Sequence, residues 1–258
     1  MAFGQFIIHD IARTLPLAND IRCCPSKSAK HPECFAIDIV RSEDILVKYF
    51  NQTCINFVRS IVCNPCALGP REQQNQATHT FDMSQMYGLR LNDSLALRSF
   101  RGGKLRGSLT STYPKEELPP KMTREDPSCN VRPKPPRFKC FETADGVRAS
   151  QHPALQSLHT AFHRRHNQHA DALSKVNPHW NDEKLYQEAR HIMIAEASAM
   201  IYGQYLSAIF GRKMMKHFRL GLNKHGYTRY DPKLNPLFVI FSDDQNFKRF
   251  FKIERNRK

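Results

Sequence analysis

Gln5-Phe-Ile-Ile-His9-Asp10 sets a glutamine and a histidine four residues apart. On a helix both stand on one face, while Asp10 points elsewhere. An imidazole so placed can take and return a proton near neutral pH. Farther on, Thr78-His-Thr80-Phe-Asp82-Met-Ser84 carries oxygen groups at alternate positions. Side-chain and carbonyl oxygens in that rhythm suit a hard cation such as Ca²⁺, which takes about six to eight oxygen ligands. One carboxylate in the loop is too little charge. Asp10 could supply the second, and would then fix the helix that carries His9. The same alternation also fits an exposed strand.

Other clusters are weighed and set aside. His159, His163 and His166 fall within about 60° of one another on a helix. The line His159-Thr-Ala-Phe-His163 lacks the Glu that a zinc hydrolase uses as base, so this face reads as polar, with part of it in the core. Cys63-Asn-Pro-Cys66 has no second C-x-x-C to complete a four-cysteine zinc site, and local or external disulfides fit it better. Lys+Arg exceed Asp+Glu by 39 − 24 = 15. That surplus favours anionic partners. The basic runs 137–139, 213–219 and 248–258 come with no nucleic-acid motif, so nucleic acid is disfavoured.

The elements that must position these residues are mostly helical. Phe3, Phe6, Ile7 and Ile11 space as a buried helix would over residues 2–13. Long helices are expected over 152–174 and 182–211, with Asn181-Asp182 as start and Gly211 as stop. Residues 81–97 could carry another. Residues 14–70 read as cysteine-rich loop. Residues 105–139, with seven prolines from Pro114 to Pro136, read as irregular. Period-2 runs are few. The fold class is therefore mainly α, with long loops in the first half.

At 258 residues with 40% apolar content, the chain can bury a sizeable core. No apolar run approaches the length of a membrane span; the longest, residues 236–241, is far too short. Residues 1–10 lack the basic start and cleavage site of a signal peptide. Yet eight cysteines and the sequons Asn51-Gln-Thr53 and Asn92-Asp-Ser94 point to an oxidising compartment. The two readings agree if the chain is a piece of a longer protein whose export signal lies upstream.

The residues of the first paragraph also carry a resemblance. Gly4-Gln5-Phe-Ile-Ile-His9-Asp10 resembles the Gly-Gln-x-x-x-His-Asp block of the animal haem peroxidases, the superfamily of myeloperoxidase, peroxidasin and chorion peroxidase. In the same order follow Thr78–Ser84, Met86-Tyr87-Gly88, Arg148, Leu158-His159-Thr160, His166-Asn167, residues 177–180 and residues 185–190. The similarity runs over about residues 3–240. It implies one partial catalytic domain spanning 1–258, secreted, with haem b and Ca²⁺ as cofactors. Hydrogen peroxide and a small reducing donor (a halide, thiocyanate, a phenol or a tyrosine) are the implied partners. His9 takes the place of the distal histidine, Gln5 of the distal glutamine and Arg148 of the distal arginine. Asp10, Thr78, Thr80 (through its carbonyl), Asp82 and Ser84 take the places of the calcium ligands. Cys24–Cys34, Cys23–Cys54 and Cys129–Cys140 are the implied disulfides.

Four departures shape the expectation. Ile8 and Gln151 stand where many relatives have the carboxylates that form esters to the haem, so non-covalent haem is expected, with Gln151 beside it. Ala144-Asp-Gly-Val-Arg148 transposes two residues of the family's Ala-Gly-Asp-x-Arg. The family's proximal histidine follows an aromatic-Arg-x-Gly motif, and no His follows His225 here. The chain is thus expected to be a fragment with a divergent tail over 241–258. The alternative is an inactive remnant that serves as a basic adhesion or matrix-binding module on an anionic surface.

Overall fold

The computed structural model describes residues 1–15, 21–25, 31–40, 44–63, 69–110, 117–123, 129 and 139–223. They form two compact units, one of Ala12–Gln76 and one of Met1–Ile11 with the residues from Ala77 onward. The second is mainly α. It holds α1 (Ala2–Ile11), α3 (Ser84–Tyr87), α4 (Leu91–Leu97), a 3-10 turn (Gly146–Ser150), α5 (Pro153–Val176), α6 (Asp182–Met200), a π turn (Ile201–Tyr205) and α7 (Leu206–His217). β3 (Ser108–Leu109) and β4 (Glu117–Leu118) pair antiparallel. The 12–76 unit contains α2 (Ile45–Phe50) and the antiparallel pair β1 (Ile37–Asp38) and β2 (Cys54–Ile55).

α5 and α6 form the main helix pair, and α1 packs on α5. The apolar face joining them is aromatic and sulfur-rich. Phe6 stacks on Phe162 with ring centroids 4.9 Å apart, amid Met86, Tyr87, Tyr186 and Met193. As expected, Asn181 caps α6, its side chain accepting from the Lys184 N–H at 2.9 Å. The expected stop at Gly211 appears as a kink inside α7, where φ is 72°. Residues 81–97 give two short helices rather than one, because Gly88 breaks the run at φ 89°.

The histidine face of α5 lies wholly in the interior, with His159, His163 and His166 all buried. His166 Nε2 donates to the Gly103 carbonyl at 2.9 Å, which leaves Nδ1 to accept from the Tyr87 hydroxyl at 2.9 Å. Asn167 clamps the next residues, accepting from the Leu105 N–H at 2.9 Å and donating to Glu117 at 2.9 Å. Gly103, at φ 72°, touches α6 so closely that a Cβ would sit 2.6 Å from the Tyr186 nitrogen. The loop 103–105 is thus pinned between two helices.

Among the described residues of the 12–76 unit, only Cys23 is buried. With so little apolar interior, covalent links carry the order. The expected pairs Cys24–Cys34 and Cys23–Cys54 are exchanged: the bonds are Cys23–Cys34 and Cys24–Cys54. Neighbouring side chains outside a helix face opposite ways. The Asn56 side-chain oxygen Oδ1, just past β2, accepts from the Cys23 N–H at 2.5 Å. Cys23 is buried with its bond to Cys34, while Cys24 faces Cys54. Cys129–Cys140 is bonded as expected. Cys63 is exposed; its neighbour Cys66, like the basic run 248–258 and residues 137–138, lies outside the described residues.

Candidate functional site

α1 presents its polar edge as the spacing requires. Gln5 Nε2 donates to His9 Nε2 at 2.9 Å, one helical turn apart. Phe6 and Ile7 are buried and hold the helix down. Gly4 is needed at its start: a Cβ there would lie 2.1 Å from the Tyr205 hydroxyl oxygen.

The second half of the site arrives from the 3-10 turn. Arg148 Nη2 donates to the His9 carbonyl at 3.1 Å. The sequence-expected partners His9 and Arg148, 139 residues apart, are therefore in contact. A residue that sequence reasoning passed over joins them. Asp145, 1% exposed, accepts from His9 Nδ1 at 2.7 Å and from Arg148 Nε at 2.8 Å. Burial alone would raise its carboxyl pKa. The hydrogen bond from His9 and the charge of Arg148 outweigh that and hold it below the usual range. His159 Nε2 stands 3.8 Å from the same carboxylate, too far for a direct hydrogen bond. Burial pushes His159 down to about 4, so at neutral pH it brings no second cation. The only sequence signal for Asp145 was its place in the transposed 144–148 block.

Gln151 closes the 3-10 turn, its N–H donating to the Arg148 carbonyl at 3.3 Å. Residues three apart in such a turn stand on one side, so Gln151 shares a side with Arg148. Gln151, Gln5 and Ile8 are exposed, Ile8 by 45%, while the His9 ring between Gln5 and Asp145 is 3% exposed. Together they offer one apolar residue, two amides, a guanidinium and an imidazole edge. Groups of these kinds suit one side of a flat, partly anionic prosthetic group such as haem. None of these side chains offers a carboxylate for an ester.

The oxygen cluster also assembles. Asp10 is buried, and its carboxylate accepts from the N–H groups of Met83 (3.0 Å) and Ser84 (2.6 Å) and from the Ser84 hydroxyl (2.8 Å). Met83 takes φ 57° to bring both N–H groups onto it. Asp82 Oδ1 accepts from the Thr78 hydroxyl at 2.8 Å, and that hydroxyl lies 3.3 Å from the Thr80 carbonyl. All five expected residues thus sit in one knot. Burial raises the Asp10 carboxyl to about 6; the Ser84 and Met83 bonds pull it down and the nearby Asp82 charge pushes it up. Two carboxylates set against each other amid hydroxyl and carbonyl oxygens are a fitting set for a hard cation. The described residues hold no group of three or more His, Cys, Asp or Glu placed for a metal. Beyond its two carboxylates, the knot's oxygens come from Thr and Ser.

A family model described as animal haem peroxidase matches residues 1–241. Chorion peroxidase of Aedes aegypti is 36% identical over 251 residues, covering 92% of this chain and 30% of that protein. Eosinophil peroxidase of Mus musculus is 32% identical over 252 residues, covering 93% and 34%. Among solved structures, peroxidase A from Dictyostelium discoideum superposes with a TM-score of 0.62 at 24% identity, covering 80% of this chain and 39% of that one. A fatty acid alpha-dioxygenase from Arabidopsis thaliana gives 0.55 at 17% identity, covering 85% and 28%. At those identities the two structures speak to the fold alone. The chain spans about a third of the length of the curated relatives it matches.

Proposed function

Because the chain belongs to the animal haem peroxidase family, we propose that it forms the distal half of a site where hydrogen peroxide is activated to oxidise a small donor. The observation that supports this most is the contact of His9 with Arg148 through one buried carboxylate. We read the two compact units as parts of one partial catalytic domain, in a secreted protein. Haem, when bound, supplies the iron that receives peroxide and stores its oxidising equivalents. Gln5, Ile8, His9, Arg148 and Gln151 would face it, without a covalent link. His9, through Nε2, takes a proton from one peroxide oxygen and returns it to the other. Arg148, always charged, stabilises negative charge as the O–O bond breaks. Gln5 orients water or substrate beside His9.

Haem added to the full chain with Ca²⁺ should give a Soret band, and peroxide should then drive oxidation of a phenol. A chain that gives the band but oxidises no phenol with peroxide would remove the enzyme reading and leave the fold as a binding module.

Calcium occupies the Asp10–Asp82 knot in this proposal. Saturating Ca²⁺ at pH 7 should stabilise the chain by about 3 kcal/mol at a hundredfold excess over Kd. That corresponds to a rise in Tm of about 5–10 °C for a chain of this size. The gain should shrink below pH 6, where protons compete for Asp10. Melting curves that do not respond to a chelator at pH 7 would exclude the site, and Asp82→Asn should make the chain equally unresponsive.

A further inference from the structure

We propose that Asp145 is the positioning residue of the distal pair: its buried carboxylate holds His9 as the Nδ1–H tautomer and locks Arg148 to it. The role deepens the peroxidase reading and rests on it.

The chemistry follows from acceptor counting. An ionised carboxylate only accepts hydrogen bonds. His9 Nδ1 stands 2.7 Å from Asp145 Oδ2, so the Nδ1 must carry the proton. The lone pair is then on Nε2, where the Gln5 amide donates to it at 2.9 Å. Without such an anchor, the ring is free to place its proton on Nε2, and the basic atom would face inward. The other oxygen of Asp145 takes Arg148 through Nε at 2.8 Å and Nη2 at 2.5 Å. Two guanidinium nitrogens on one oxygen fix the guanidinium's orientation, not only its charge. Arg148 also reaches the His9 carbonyl, so ring, backbone and guanidinium are held as one piece. The anchor itself is rigid. Asp145 starts the 3-10 turn, and Arg148 follows it by one turn, on the same side. His159, neutral and 3.8 Å behind, leaves both carboxylate oxygens to the pair.

The test uses the haem-free chain, labelled with ¹⁵N in its histidine rings and arginine side chains. In the wild type, long-range ¹⁵N–¹H correlation should show His9 as Nδ1–H, and the Arg148 Nε–H should exchange slowly. Asp145→Asn keeps an acceptor oxygen. With one end of the side chain now a donor, it should lose either the His9 Nδ1–H tautomer or the slow Arg148 Nε–H signal, because one amide oxygen cannot take the places of both carboxylate oxygens. Asp145→Ala should lose both. A wild-type His9 in the Nε2–H form would overturn the proposal. So would an Asp145→Asn chain that keeps both signals, which settles the matter even if Asp145→Ala does not fold. Haem titration and peroxide assay of the same samples separate the two readings. A chain with the expected tautomer that gives the Soret band but oxidises no phenol with peroxide refutes the peroxidase assignment and leaves the hold of Asp145 on the pair standing.

Discussion

Replacing His9 with alanine should cut peroxide-dependent oxidation of a phenol in the haem-loaded chain by about 10²–10⁴-fold. Haem uptake itself should persist, since Gln5, Ile8, Arg148 and Gln151, proposed to face the haem, remain. Among these described residues and His9, the imidazole is the only group that can both accept and return a proton near pH 7. Its removal also strips one donor from the buried Asp145. Arg148 still satisfies that carboxylate, so the cost in stability should stay near 1–3 kcal/mol. His9→Gln, which keeps an amide donor within reach of Asp145, should fold better and be as inactive. Rates that survive both changes would mean that the proton is handled elsewhere, and the distal assignment would fall. Arg148→Lys offers a graded control. It keeps the charge but not the paired hydrogen bonds, so activity should drop by less than for His9→Ala.

The second large effect is on stability in acid. His159 and His166 are neutral in the fold, both pushed down to about 4 by burial, against 6.5 for an ordinary histidine. Between those values the unfolded chain binds more protons than the folded one. Their contribution is therefore complete above about pH 6.5 and is lost as pH falls through 4, roughly 3 kcal/mol for each. Asp10 works with the opposite sign. Its carboxyl is raised to about 6, so the fold gains from protonating it as pH drops from 6 toward 4. That gain offsets about one of the two histidines. Calcium should cancel the offset by keeping Asp10 ionised. Urea midpoints measured from pH 7 to pH 4 should thus fall, and fall more steeply with calcium. In His159→Phe, where the ring replaces one already packed 5.1 Å from Phe6, the slope should drop by about one proton. Stability that stays level across this range would show that these rings do not stay neutral.

How much of this could be read from residues alone depended on the range of the contacts involved. α1, α5 and α6 are written in their periodicity, because one apolar face meets one partner over many turns. α2, β1 and β2 left no such trace: their strands are two residues long, and α2 buries no residue. Spacing placed Gln5 and His9 on one face, and the resemblance pointed to Arg148. Only the transposed 144–148 block marked Asp145, and its role was hidden because its partner His9 lies 136 residues away. His166-Asn167 was visible as a motif, yet its work is to hold the 103–105 loop. Cys23 and Cys24 are adjacent, so no count of residues could assign their partners.

The π turn at 201–205 contains one more residue per turn than the helices on either side of it. One extra residue rotates everything downstream by about 100° about the axis. Tyr205 is thereby swung back until its hydroxyl abuts Gly4, where α1 begins. Deleting a single residue there would not merely shorten the rod. It would act as a quarter-turn of a key, unseating that hydroxyl and loosening the footing of the segment that bears the imidazole.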